Sequence, residues 1–136
     1  MAVKKKFVSG TGRRKRAVAR VWLYEGKGEM LVNGKNIKDY FIEDKEAALN
    51  WVQPFHAIGV AHPTAKFHAT ILVNGGGKAS QLDAVTLGFA RALIVLNPED
   101  KEILRTSGLV TSDARKKERK KPFLVKARKR PQYSKR

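Results

Sequence analysis

Between residues 17 and 24 small apolar residues alternate with larger, cationic or aromatic ones. Ala17, Ala19, Val21 and Leu23 form one series; Val18, Arg20, Trp22 and Tyr24 form the other, which Arg14 and Arg16 continue upstream. A period of two is that of a strand. The segment therefore predicts a strand with an aliphatic face for a core and a cationic, aromatic face pointing away from it. Residues 7–11 form a shorter β-like run, and Gly10 and Gly12 permit a bend or a close backbone approach there. Glu25-Gly26-Lys27-Gly28 reads as a hairpin turn into a strand over 29–32, which Asn33-Gly34 closes. Alternation returns over 66–73, where Phe67, Ala69, Ile71 and Val73 interleave with Lys66, His68, Thr70 and Leu72, giving a fourth strand.

Steps of three and four predict the helices. Leu82, Val85, Phe89, Leu93 and Leu96 make an apolar stripe along a long helix from about Lys78 to Leu96, opened by Asn74-Gly75-Gly76-Gly77. Gly88 inside it costs roughly 1 kcal/mol against Ala, which close packing on the sheet would explain. Asn36 is placed to cap a short helix through Phe41, and Asp44 to cap another to about Val52 that Pro54 stops. Next comes a helix with Asn97 as N-cap, Pro98 at its first position, Glu99, Asp100 and Glu102 in its first turn, and Gly108 beyond its end. Thr111 or Ser112 is expected to start one or two short basic helical turns. From Lys120 onward no regular structure is expected without a partner.

Charge divides the chain more sharply than hydropathy does. Residues 1–20 hold eight Lys or Arg and no acid, residues 21–112 nine bases and ten acids, and residues 113–136 twelve bases against Asp113 and Glu118. The formal net charge is +17. The expected organisation is a globular body over 1–110 and a basic C-terminal extension over 111–136, largely irregular without RNA. Like charges and few large apolar residues keep such an extension out of a core. Its counter-ion is a polyanion, and nucleic acid fits best. The extension has no apolar helical stripe for a membrane surface. No stretch is expected to approach the ~18 apolar residues of a spanning helix, and Met1-Ala2-Val3-Lys4-Lys5-Lys6 lacks the apolar region of a signal peptide. Cysteine is absent, which excludes disulfides and thiolate metal sites. A cytoplasmic location, or the interior of an organelle after import, is expected.

Few residues suggest chemistry. Gly75-Gly76-Gly77-Lys78 between strand and helix invites comparison with phosphate-binding loops. Yet Ala79 stands where a P-loop needs Ser or Thr, and neither nucleotide-binding glycine spacing is present. A phosphate of RNA resting on these amides beside Lys78 uses the same physics without catalysis. His56, His62 and His68 are spaced by six, so no pair shares a helix face at i, i+4, and no metal site is expected. No nucleophile motif is present, and neither a catalytic site nor a cofactor is expected. The cationic segment Arg13, Arg14, Lys15, Arg16 and Arg20 is the body's candidate RNA surface, with Lys78. From composition alone, a free-standing nucleic-acid chaperone or DNA-compacting protein remains an alternative; a small nucleotide-dependent enzyme using Gly75 to Lys78 is a second.

Several ordered motifs carry a resemblance. Gly10-Thr11-Gly12-Arg13-Arg14-Lys15-Arg16-Ala17-Val18-Ala19-Arg20-Val21, Gly75-Gly76-Gly77-Lys78-Ala79-Ser80-Gln81, the stretch Asp113-Ala114-Arg115 through Glu118-Arg119-Lys120-Lys121-Pro122, and Gln132-Tyr133-Ser134-Lys135-Arg136 occur in order. With them the whole chain closely resembles the family of the ninth protein of the small ribosomal subunit, in its bacterial or organellar form. Phe123 departs from it, sitting where Gly is commoner after the proline.

The resemblance implies an α+β fold: a four-stranded mixed sheet backed by helices, with a left-handed βαβ crossover and an extended basic C-terminal tail. It implies a non-catalytic, structural constituent of the small ribosomal subunit, with the ribosomal RNA of the subunit head, transfer RNA in the peptidyl site and neighbouring small-subunit proteins as partners, and no membrane. Ribosomal-RNA contacts are expected in the tail at Arg115, Lys116, Lys117, Arg119, Lys120, Lys121, Lys126, Arg128, Lys129 and Arg130. The transfer-RNA contact falls on Arg136 first, with Lys135 and Ser134 beside it. Residues 121–136 fully extended would span roughly 50 Å, and Tyr133 offers a ring for stacking. Simple anchoring of the tail in ribosomal RNA is the rival role.

Overall fold

The computed structural model describes residues 6–41 and 50–135. Among them five strands form one mixed sheet in the order β1-β2-β5-β3-β4, where β1 is Phe7–Arg14, β2 Ala17–Glu25, β3 Met30–Val32, β4 Lys35–Asn36 and β5 Phe67–Asn74. The expectation of four strands is corrected by β4. Asn33 and Gly34 do not simply end β3; both take left-handed backbone (φ 50° and 86°) and turn the chain back onto itself. Two successive positive φ values are what a two-residue hairpin demands, and Asn-Gly supplies them at least cost.

The expected hairpin at Glu25-Gly26-Lys27-Gly28 is also corrected. β2 and β3 are not neighbours, because β5 lies between them, antiparallel to β2 and parallel to β3. The glycine segment spans the end of β5, where Gly26 and Gly28 N–H groups donate to the carbonyls of Lys66 (2.8 Å) and Thr64 (3.2 Å). Among its described residues, the β3-to-β5 crossover carries β4 and the short helices α1 (Ile37–Tyr40), α2 (Gln53–Ala57) and α3 (Pro63–Lys66). Asn36 caps α1 as expected, its side chain accepting from the Lys38 N–H at 3.1 Å. The helix expected from Asp44 falls mostly outside the described residues. Pro54 itself sits in the first turn of α2, where the missing N–H has no intrahelical partner to lose.

The long helix α4 (Lys78–Leu96) backs the sheet, burying Leu82, Val85, Phe89 and Leu93 of the expected stripe. Ala84, Leu87, Gly88, Ala90 and Ala92 are buried too, so the helix is apolar around most of its circumference. By length and composition it could cross a membrane, contrary to the expectation that no stretch approaches that requirement. It is instead the core helix. The sheet lies on one side, and Phe89 meets the rings of Trp51 (5.9 Å) and Phe55 (5.1 Å) on another.

Glycines set how closely α4 lies on β1. Gly10 and Gly12 pair across the sheet with Val21 and Ala19 and are buried. A Cβ on Gly12 would lie 1.7 Å from the Ala84 carbonyl oxygen, and one on Gly10 2.3 Å from that of Gly88. A Cβ on Gly88 would meet the Val21 side chain at 2.7 Å. Three glycines and the small face of β2 thus let helix and strand backbones touch, the close approach predicted for them. Arg91 fastens this seam with a 2.7 Å hydrogen bond from its Nη1 to the Thr11 carbonyl.

After α4, a 3-10 turn (Pro98–Asp100) leads into α5 (Lys101–Thr106). Gly108 (φ 74°) and Leu109 close α5 by donating to the carbonyls of Arg105 (3.0 Å) and Leu104 (3.0 Å), a Schellman stop. The basic helical turn expected after Thr111 or Ser112 does not form. Arg115, Lys116, Lys117, Arg119, Lys120 and Lys121 would place like charges at i, i+3 and i, i+4 with no apolar face to offset them. No helix or strand occurs between residues 109 and 135.

Candidate nucleic-acid interface

The face of the sheet opposite α4 is built in rows by the strand register. Phe7, Tyr24 and His68 align across β1, β2 and β5. The Tyr24 ring lies 5.8 Å from Phe7 and stacks on His68 at 5.0 Å with planes 7° apart. The next rows are Ser9-Trp22-Thr70 and Thr11-Arg20-Leu72. Phe7 is 52% and Leu72 49% exposed, and Arg20 and Thr70 are exposed beside them. Strand pleating places Trp22, Tyr24 and Arg20 on one face, as the alternation predicts. Phe7 and His68 join only through pairing.

At the other end of this face, Arg13, Arg16 and Arg20 with Asn74 and Gly75 line an open cleft of about 690 Å³. Lys15, in the β1–β2 turn, has φ 51°. A left-handed conformation costs a residue with a Cβ about 1–2 kcal/mol. Four of the five cations expected from this segment therefore surround one turn.

Arg14 lies apart from them. Its side chain is 18% exposed and forms ion pairs with Asp113 at 2.8 Å and Asp83 at 3.6 Å. Asp113 also accepts from Arg115, from the backbone N–H at 3.0 Å and from Nε and Nη2 at 2.7–3.0 Å. These hydrogen bonds, Arg115's charge and then Arg14's hold the Asp113 carboxyl well below the usual carboxylate range and raise Arg115 in turn. The first acid of the extension thus clasps its root to β1. Sequence spacing cannot show a contact between residues 14 and 113.

The extension then makes one compact loop. Glu118 pairs with Lys121 and with Arg128 (3.0 Å), which together, Lys121's hydrogen bond first, lower its carboxyl. The Leu124 N–H donates to the Lys121 carbonyl (3.3 Å) and the Val125 N–H to the Lys129 carbonyl (2.8 Å). Phe123 sits between with φ 67° and is 96% exposed. Lys116, Lys117, Arg119, Lys120, Lys126, Lys129 and Arg130 are all exposed. Beyond the loop, residues 130–136 can span about 23–25 Å when extended, less than half the reach expected from 121. Ser134 and Lys135 are exposed in that stretch, and Arg136 lies outside the described residues.

Lys78 is not directed at a free glycine loop. Its Nζ lies 3.4 Å from the Tyr40 ring centroid and donates to the Tyr40 carbonyl at 3.2 Å. Tyr40 in turn donates to Gln81 (2.8 Å), which donates to the Gly75 carbonyl (3.0 Å). A Cβ on Gly75 would lie 2.4 Å from the Arg16 carbonyl oxygen, so the glycine segment packs against the β1–β2 turn. His56 and His68 hydrogen-bond the carbonyls of Ala61 and Gly26, each at 3.2 Å. No metal-holding cluster of His, Asp or Glu occurs among the described residues.

The sequence of the whole chain has relatives. The family model described as ribosomal protein S9/S16 matches residues 12–136. The chain is 47% identical to small ribosomal subunit protein uS9 of Azobacteroides pseudotrichonymphae genomovar. CFP2 over 131 residues, covering 95% of this chain and 98% of that one. Its identity to uS9 of Thermus thermophilus is also 47%, over 127 residues (93% and 96%), and to uS9 of Porphyromonas gingivalis 45%, over 132 residues (96% and 98%). The chain belongs to the ribosomal protein S9/S16 family. S9/S16 membership makes it a structural, RNA-binding ribosomal protein of translation, and bears out the resemblance carried by the glycine-arginine, glycine-lysine and C-terminal motifs.

Proposed function

We propose that this chain is a structural constituent of the small ribosomal subunit in the cytoplasm, binding ribosomal RNA of the subunit head and reaching transfer RNA in the peptidyl site with its C-terminal residues. The observation that carries this reading is the division of the molecule. A folded body presents Arg13, Lys15, Arg16 and Arg20 around one turn, and the irregular segment that follows residue 110 carries twelve more Lys or Arg. Arginine and lysine at that density meet phosphates, and the neighbouring sheet rows offer rings and hydroxyls to ribose and base.

The cations divide by role. Arg13, Lys15, Arg16 and Arg20 face RNA from the body. Arg14 and Arg115 are shared with Asp113 and aim the extension where it leaves β1. Lys116, Lys117, Arg119 and Lys120 follow the clasp, and Lys121, Lys126, Arg128, Lys129 and Arg130 belong to the loop and its exit. Ser134, Lys135 and Arg136 make the terminal contact with transfer RNA. Lys78, held on Tyr40, positions the start of α4 and adds its charge to the same end of the sheet. Neighbouring ribosomal proteins complete the environment.

Co-sedimentation discriminates this reading from a free-standing nucleic-acid chaperone. The protein is expected to remain with small subunits through a moderate-salt wash. Complete release by that wash contradicts a built-in constituent.

A further inference from the structure

We propose that Phe123 is a stacking platform for an unpaired RNA base, presented by the tail loop of residues 118–129. The proposal rests on the RNA-binding reading and adds an aromatic contact to its phosphate contacts. Phe123 follows Pro122 at the second central position of the turn from Lys121 to Leu124, closed by the 3.3 Å Leu124-to-Lys121 hydrogen bond. At φ 67° it occupies the position where such a turn favours glycine. The ring gains nothing within the molecule to offset this conformation, since it is 96% exposed. Strained residues of this kind persist where surrounding structure holds them and cluster at functional sites. Here the holding is visible: Glu118 ties Lys121 to Arg128, and the 2.8 Å Val125-to-Lys129 bond closes the loop behind the ring.

The loop's composition selects the occupant. Six of its twelve residues are Lys or Arg, and its one acid is already paired with two of them. An apolar protein pocket would satisfy the ring and leave the cations without counter-charge. An RNA strand supplies both, with a π-face on each nucleotide and a phosphate between successive ones. A duplex buries its base faces in the stack, so the matching substrate is an unpaired nucleotide in a loop, bulge or single strand.

The test compares full-length protein with Phe123→Gly, Phe123→Leu and Phe123→Trp. The probes are an oligouridine carrying one 2-aminopurine and the same RNA annealed to its complement. Phe123→Gly relieves the backbone and removes the ring; Phe123→Leu keeps apolarity without a π-face. Wild type and Phe123→Trp are expected to quench 2-aminopurine in the single strand. Phe123→Gly and Phe123→Leu should lose that quenching and bind the single strand about 5- to 150-fold more weakly. Affinity for the duplex and the slope with salt should stay unchanged across the set. Wild-type affinity and quenching in Phe123→Gly overturn the proposal, as does an equal loss on duplex. Full retention by Phe123→Leu overturns it in favour of a generic apolar contact of the kind a protein pocket accepts. Failure of the wild type itself to bind RNA in a salt-dependent way overturns the underlying RNA reading, and this proposal with it.

Discussion

Replacing Gly12 by Ala tests the seam on which the cationic strand is mounted. The added Cβ would lie 1.7 Å from the Ala84 carbonyl oxygen, 2.6 Å from the Gly88 nitrogen and 2.8 Å from the Ala84 carbonyl carbon, all backbone atoms of α4. None can rotate away. Reaching even 3.0 Å requires strand and helix to part by at least about 1.3 Å. A gap of ~0.5–1 Å already forfeits a quarter to a half of a van der Waals contact's depth, and the opening would spread to Gly10 and Gly88. Overpacking costs typically about 1–3 kcal/mol and occasionally more; a rigid backbone clash belongs at the upper end, about 3 kcal/mol or above. That is a large share of the stability of a domain this size, a fall of roughly 10 °C in Tm. The assay is urea and thermal denaturation of the free protein followed by circular dichroism. Gly77→Ala is the control, because its Cβ would meet nothing within 4 Å, and it should cost no more than about 1 kcal/mol, the scale of putting alanine at a helix N-cap. A Gly12→Ala protein within about 1 kcal/mol of wild type would refute the backbone contact and the reason given for glycine there.

Three further outcomes follow from the interface. Lys15→Gly should stabilise the free protein by about 1 kcal/mol in urea titration, because glycine takes φ 51° without strain, and should reduce the salt slope of RNA binding by about 0.9. RNA affinity of the wild type, measured by filter binding, should fall by ~10³–10⁵ between 50 and 200 mM salt if six to ten phosphates are engaged; a flat response contradicts phosphate contact. Asp113 has a depressed folded-state pKa, so its contribution to stability is present above the ordinary 3.8 and is lost as pH falls through the folded value. The stability difference between wild type and Asp113→Asn should accordingly be constant at neutral pH and shrink below about pH 4 in pH-dependent denaturation; a difference that grows in acid contradicts the clasp.

Local periodicity made much of the body legible. The alternation from Ala17 to Leu23, the stripe from Leu82 to Leu93 and the punctuation around Pro98 and Gly108 all occur where predicted, because each is enforced by neighbours in sequence. Pairing partners were not legible. The insertion of β5 between β2 and β3 turns an apparent hairpin at Gly26 into a crossing, and a strand of two residues carries too little pattern to declare itself. In the interface, Arg13, Lys15, Arg16 and Arg20 were marked by clustered charge. The diversion of Arg14 to Asp113 joins residues 99 apart in the chain, and Lys78's hold on Tyr40 depends on the crossover bringing α1 beside α4. Phe123 left a trace in the sequence, a departure from the glycine that the resemblance leads one to expect after Pro122. Only the backbone angle and exposure turn that departure into a binding proposal.

Transfer-RNA retention in the peptidyl site, by small subunits reconstituted with the chain lacking Lys135 and Arg136, tests the central claim most directly. Subunits should assemble with the truncated protein at full occupancy and bind transfer RNA at least about tenfold more weakly, the scale of losing a charge-assisted hydrogen bond. Unchanged transfer-RNA affinity at full occupancy would contradict the account.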